Sequence, residues 1–218
     1  MSYQIAIDGP AGAGKSTIAK RVAKTKSFIY VDTGAMYRAM AYYLLSEGVN
    51  AEDEEAVSKE CPGAHITIEY QDGEQVVLLN GKNVNGVLRT EEVGNMASVT
   101  SKNKKVRERL TQLQKELAQT NDVVMDGRDI GTCVLPHADV KVYLTASAAV
   151  RAKRRYDELA AKGEICDIQK IEEDIIKRDE QDMNREIAPL KQAEDAVLID
   201  SSNMTIDEVV KAILNLCR

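Results

Sequence analysis

Five short apolar runs punctuate the chain: Ile5–Asp8, Phe28–Val31, Val123–Asp126, Val140–Thr145 and Val197–Asp200. Each is rich in β-branched or aromatic residues and too short for a helix, so each reads as a buried strand. Segments with helical periodicity separate most of them. Val106, Leu110, Leu113 and Leu117 recur at steps of four, three and four between Lys104 and Gln119, which predicts an amphipathic helix. Thr205-x-x-Glu208 is a capping box that opens a last helix with Val209, Val210, Ile213 and Leu214 on its apolar side. Strand–helix alternation of this kind predicts an α/β fold with a parallel sheet flanked by helices.

One region breaks the alternation. His65–Tyr70, Gln75–Leu79 and a short run at Lys82–Val84 are β-like and are joined by Asp72-Gly73 and Asn80-Gly81. Such dipeptides supply the positive φ values that tight hairpin turns need. Residues 62–100, approximately, are therefore expected to form a small antiparallel β insertion in the core. The chain of 218 residues reads as a single domain, 1–218, with that insertion and a short lid at about 152–167.

Composition narrows the partners. With 29 basic and 35 acidic residues the net charge is −6, which argues against nucleic acid or an anionic membrane as the main partner. Cys61, Cys133, Cys166 and Cys217 are scattered, with only His65 and His137 as further soft ligands. That spacing argues for reduced thiols and against a zinc site. No secretory leader and no membrane-length apolar stretch is seen, so the expectation is a soluble cytoplasmic protein. The lack of a long heptad seam makes a monomer the default.

The chemistry starts at the first strand. It runs into Gly9-Pro10-Ala11-Gly12-Ala13-Gly14-Lys15-Ser16-Thr17, a phosphate-cradling P-loop, and then into a helix carrying Ile18, Val22 and Ala23. Glycines let backbone N–H groups approach phosphate oxygens, and the helix N-terminus adds partial positive charge. Lys15 is placed for the β- and γ-phosphates and the Ser16 hydroxyl for Mg²⁺, with water completing the ion's shell. A nucleoside triphosphate is the expected ligand, with Mg²⁺ and no organic cofactor.

Three clusters address the acceptor. The second strand ends in Asp32-Thr33-Gly34-Ala35-Met36-Tyr37-Arg38, and ligands of open α/β sheets bind at the carboxyl ends of strands. The third ends in Asp126-Gly127-Arg128-Asp129-Ile130-Gly131-Thr132, where an arginine suits a phosphoryl oxygen and a carboxylate suits Mg²⁺-bound water or acceptor positioning. Arg151, Arg154 and Arg155 share a helix face by spacing, as do Arg178, Asp182 and Arg185. Ala160-Ala161-Lys162-Gly163-Glu164 lies between the two sets and is short enough for a lid.

Together these segments, with Ile7-Asp8 before the loop, Leu88-Arg89-Thr90, Val106-Arg107 and Arg178-Asp179 through Ala188-Pro189-Leu190, resemble the bacterial-type cytidylate kinases, a branch of the nucleoside monophosphate kinases. The resemblance spans essentially the whole chain. It implies transfer of the γ-phosphoryl group of ATP to CMP or dCMP. It places the base readers at Ser98, Arg107 and Asp129, the acceptor-phosphate arginines at Arg38, Arg128 and Arg185, and the ribose contacts at Arg178 and Asp182. Thr33 and Tyr37 complete the CMP set, and Lys15, Arg128, Arg151, Arg154 and Arg155 form the phosphoryl-transfer set. Two connections depart from the family pattern. Ala23-Lys24-Thr25-Lys26-Ser27 lacks a C-capping glycine, and Ser101-Lys102-Asn103-Lys104-Lys105 lacks a proline. The alternatives are a P-loop kinase for UMP, AMP or a hydroxy acid, and a nucleotide-dependent switch. Against the switch, Asn103-Lys104-Lys105-Val106 lacks the aspartate of a guanine-reading N-K-x-D.

Overall fold

A computed structural model describes residues 2–217. In chain order the elements are β1 (Gln4–Asp8), α1 (Lys15–Lys26), β2 (Ile29–Asp32), α2 (Thr33–Ser46), α3 (Glu54–Glu60), β3 (Ile66–Gln71), β4 (Glu74–Leu79), β5 (Lys82–Asn83), α4 (Glu91–Thr100), α5 (Lys104–Thr120), β6 (Val123–Gly127), β7 (Val140–Thr145), α6 (Ala148–Ala161), α7 (Ile168–Asn184), β8 (Val197–Asp200) and α8 (Ile206–Leu216). All five apolar runs are strands. The chain divides into two compact units, one of Ile29–Asn121 with the extreme N-terminus, the other of Tyr3–Phe28 with the chain from Asp122 onward.

The second of these carries the parallel sheet, with β6, β1, β7 and β8 side by side in that order. Ile5 is level with Val124 on one side and Val140 on the other, and Val142 with Val197. Ile5, Ile7, Met125 and Leu144 are completely buried, as central strands covered on both faces require. Val22 of α1 and Ile213 of α8 are also fully buried, and the two helices pack on each other. Each such side chain contributes about 1.5–3 kcal/mol through its removal from water. The expected capping box is present: Glu208 N–H donates to Thr205 Oγ1 at 3.3 Å, and Thr205 N–H to Glu208 Oε2 at 2.8 Å.

The missing glycine after α1 has a structural answer. Ser27 itself adopts the left-handed conformation, φ 58 and ψ 33, and donates its N–H to Lys24 O. A residue with a Cβ does there what glycine does at less steric cost.

In the Ile29–Asn121 unit the three antiparallel strands β3, β4 and β5 form a sheet of their own. Both turns use the expected dipeptides, with φ of 53 and 80 at Asp72-Gly73 and of 49 and 78 at Asn80-Gly81. Gln75 ties β4 to β2, accepting from Asp32 N–H at 2.8 Å. Met36, Met40 and Leu44, one helical turn apart on α2, are wholly buried, and α2 packs on α4.

The expected extent of the β insertion needs correction: residues 91–100 are the helix α4. Thr90 caps it by accepting from Val93 N–H at 3.4 Å, and Glu91 and Glu92 sit in its first turn. Acidic residues beside the exposed amides at that end favour helix. In the segment without a proline, Asn103 caps α5 through Lys105 N–H and Val106 N–H, and its Nδ2 donates to Glu54 O and Ser58 Oγ.

Candidate active site

β1 ends at Asp8, and the chain then turns sharply into Gly9. That position admits no other residue: its φ is 151, and a Cβ would lie 1.9 Å from Leu144 O of β7. The loop closes at Gly14, φ 85, and α1 begins at Lys15. Helix α1 differs from every other α-helix among the described residues. Side chains of Asp32, Asp53, Thr90, Asn103, Ser147, Asp167 and Thr205 cap α2 to α8, whereas α1 has no side-chain cap and no acid in its first turn. Its unsatisfied amides and partial positive charge are left for an anion.

Lys15 is buried, and its Nζ donates to Pro10 O at 2.7 Å. Burial pushes its ammonium down to about 7, helped by the Arg128 guanidinium and opposed by the carboxylates of Asp126, Asp8 and Asp182. An anionic phosphate placed beside it favours the charged form. The Ser16 hydroxyl donates to Asp126 Oδ2 at 2.9 Å. A hydroxyl and a carboxylate meeting beside a P-loop are hard oxygen donors that suit a divalent cation.

Asp8, to which the motif reading gave no role, organises the neighbouring loop. Its Oδ1 accepts from Ile130 N–H at 2.8 Å and its Oδ2 from Gly131 N–H at 2.7 Å. Burial pushes the carboxyl up to about 6, against the lowering effect of these two bonds. The signal was present in the sequence, because Asp8 ends an apolar strand just as Asp126 does. The two strands are adjacent, with Asp8 level with Gly127.

Beyond β6 the charges form a chain. Arg128 Nε contacts Asp182 Oδ2 at 2.9 Å, Arg185 Nη1 lies 3.8 Å from Asp182 Oδ1, and Arg185 Nη2 contacts Asp129 Oδ1 at 3.1 Å. Asp129, Asp182 and the Arg185 side chain are all buried. Burial alone would raise the Asp182 carboxyl, but Arg128, Arg185 and Arg178 outweigh it and hold it below the usual range. Thus Arg128, Asp129, Asp182 and Arg185 are brought together, with Arg178 acting on the same carboxylate.

Arg151, Arg154 and Arg155 do not act as one face. Arg151 is buried and ion-paired with Asp179. Arg154 donates to Ser201 O and Ser201 Oγ, and Arg155 is exposed and paired with Glu158. Shared spacing on a helix does not give shared partners, because flanking elements decide which way each long side chain runs. The expected lid is largely helical, since residues 152–161 belong to α6 and the turn is confined to 162–167. Asp179 was given no role by the sequence, although Ile175, Asp179 and Asp182 form the buried stripe of α7. An acid in such a stripe is a readable sign of a buried ion pair.

Within the Ile29–Asn121 unit, Asp32 caps α2 by accepting from Ala35 N–H at 2.9 Å, which sets Thr33, Tyr37 and Arg38 along the first turns. The Arg107 guanidinium lies 5.5 Å from the Tyr37 ring centroid and donates to Ser101 O at 3.2 Å. Ser98 is half-buried on α4.

The model of the cytidylate kinase family matches residues 5–218. The chain belongs to the cytidylate kinase family. It is 47% identical over 216 residues to the cytidylate kinase of Shouchella clausii, covering 99% of this chain and 96% of that protein. It is 49% identical over 213 residues to that of Bacillus licheniformis, covering 97% and 94%. Among solved structures, shikimate kinase from Bacteroides thetaiotaomicron superposes with a TM-score of 0.50 at 14% identity, covering 98% of this chain and 97% of that one. That likeness concerns the P-loop kinase fold alone. Kinases of this family use ATP with a divalent cation. No helix among the described residues is long and apolar enough to cross a membrane.

Proposed function

We infer that this chain transfers the γ-phosphoryl group of ATP to CMP or dCMP, giving ADP and CDP or dCDP. Family membership over nearly the full length supports the reaction. The observation that carries the residue assignment is the ion-pair chain Arg128–Asp182–Arg185–Asp129 at the end of β6, beside the P-loop strand, buried except at Arg128.

The donor is held by the loop Gly9–Thr17, including Pro10, Ala11, Gly12, Ala13 and Gly14, with Lys15 opposite the phosphates. Mg²⁺ is the divalent cation, held by Ser16 with Asp126 beside it; when bound it neutralises phosphate charge. Arg38, Arg128 and Arg185 hold the acceptor phosphate, Arg178 and Asp182 the ribose, and Ser98, Arg107 and Asp129 read the base, with Thr33 and Tyr37 flanking. The base chemistry favours cytosine. Its N4 amino group donates to a carboxylate, whereas uracil presents O4, which a carboxylate repels. No general base is required, since a phosphate oxygen of CMP is already an anion near neutral pH. The work is positioning and charge neutralisation. Arg154 and Arg155 are exposed on α6 and are proposed to meet the phosphates when nucleotide binds. The chain is read as a cytoplasmic monomer acting on free nucleotides, in keeping with its net charge of −6 and four free thiols.

An acceptor panel in an ADP-release assay tests this. CMP and dCMP should support turnover, with UMP, AMP and small hydroxy acids far slower. Faster turnover of any of these than of CMP and dCMP would overturn the assignment.

A further inference from the structure

The Arg151–Asp179 pair encloses a single residue of the ATP loop. Arg151 Nη1 donates to Ala11 O at 2.8 Å, and Ala11 N–H donates to Asp179 Oδ1 at 3.3 Å. Arg151 Nη2 closes the ring on Asp179 Oδ2 at 2.6 Å. Arg151 Nε donates to Ala146 O at 2.9 Å, just before α6. Both side chains are buried, 6% and 7% exposed. The peptide groups on either side of the Ala11 Cα are thereby held at once, which fixes the dihedral angles of that residue. Gly12 permits the approach: a Cβ there would lie 3.3 Å from Arg151 Cβ, and its φ is 75.

We propose that Arg151 and Asp179 are a positioning pair that sets the conformation of the ATP loop through the two peptide groups of Ala11, anchoring α6 and α7 to that loop. Each guanidinium nitrogen of Arg151 makes one contact with a protein acceptor, which directs the side chain at the loop's own backbone and at Asp179. The inference rests on Gly9–Thr17 being the ATP site. Absence of ATP binding by the unaltered protein would remove that reading before the pair is tested.

Two roles for the pair predict opposite signs. If only charge mattered, Asp179→Asn would unmask a cation near the loop and tighten ATP binding, and Arg151→Lys would be neutral. If positioning matters, Asp179→Asn leaves Arg151 without its anionic partner, and Arg151→Lys keeps the charge but loses the three-way fork. Both should then weaken ATP about tenfold or more, since small misplacements of binding groups are costly. Kd for CMP should stay within about twofold. Calorimetric titration of each variant with ATP and, separately, with CMP reads this directly. A merely structural brace would lower Tm and weaken both ligands equally, or neither, and would overturn the proposal, as would tighter ATP binding by Asp179→Asn. Amide exchange in the unaltered protein supplies a readout independent of the variants. The Ala11 amide should be protected before nucleotide is added, and rapid exchange there would also overturn the proposal.

Discussion

The two compact units hold their function-bearing side chains by different means. From Asp122 onward, guanidinium and carboxylate groups are paired in the interior, as in Arg185–Asp129 and Arg151–Asp179, with Arg128–Asp182 partly exposed on the arginine side. In Ile29–Asn121, the corresponding groups ride on helices whose starts are fixed by Asp32, Thr90 and Asn103. The first arrangement sets geometry through charge balance, so removing one partner leaves an opposite charge stranded in the interior. The second sets it through backbone capping and packing, where one loss is local. The loop Gly9–Thr17, proposed to hold ATP, belongs to the first kind and carries its own exception, an α1 without a side-chain cap.

The largest effect should come from Lys15→Ala. Turnover should fall by about two to three orders of magnitude through loss of charge aimed at the transferring phosphoryl group, with CMP affinity nearly unchanged, by steady-state kinetics and calorimetry. Next, Asp182→Ala should cost about 3–5 kcal/mol in urea unfolding, because Arg128 and Arg185 lose their shared partner. The pH dependence follows. The Asp182 carboxyl is held below its ordinary value, so its contribution is present above about pH 4 and is lost as pH falls below that. Asp8 runs the other way: its carboxyl is raised from 3.8 to about 6, so stability declines as pH rises across that interval. Asp182→Asn should abolish the first slope and leave the second.

A glycine pair sharpens the comparison further. Gly9→Ala meets the Leu144 backbone carbonyl at 1.9 Å, which cannot yield, and should cost several kcal/mol or prevent folding. Gly63→Ala meets the Tyr43 hydroxyl at 2.1 Å and Cζ at 2.9 Å, the far end of a side chain rather than backbone. The loss there should be limited to about 1 kcal/mol, near the worth of the Tyr43–Glu60 hydrogen bond. Comparable losses at the two sites would erase the distinction. The smallest effect is a gain: Ser27→Gly should stabilise by about 0.5–1 kcal/mol, by relieving a left-handed backbone that serine tolerates poorly.

The same contrast explains what was legible in the sequence. Apolar runs and the dipeptides Asp72-Gly73 and Asn80-Gly81 act locally, so strands and hairpin turns could be read directly. Helix α4 was absorbed into the β insertion because Thr90-Glu91-Glu92 was not weighed as a start signal. Contacts between distant segments were not legible. Spacing placed Arg151, Arg154 and Arg155 on one face, but the partners Asp179, Ser201 and Glu158 come from different distances along the chain. Asp8 ends an apolar strand and Asp179 lies in the buried stripe of α7, so position marked both carboxylates, but the partner of each lies far along the chain and could not be read. The loop Gly9–Thr17 is the opposite case, since donor binding needs a contiguous backbone and so leaves a contiguous signature.

Base choice is the sharpest claim. The Asp129 carboxylate, buried and held by Arg185, is assigned to read the cytosine amino group. The decisive measurement is kcat/KM for CMP and for UMP in the unaltered protein and in Asp129→Asn, which keeps size while replacing the anion. The ratio of CMP to UMP should fall about 100-fold or more, with KM for ATP little changed, because a site built to pair a polar group rejects its mismatch strongly. An unchanged ratio, with both substrates losing equally, would contradict the assignment.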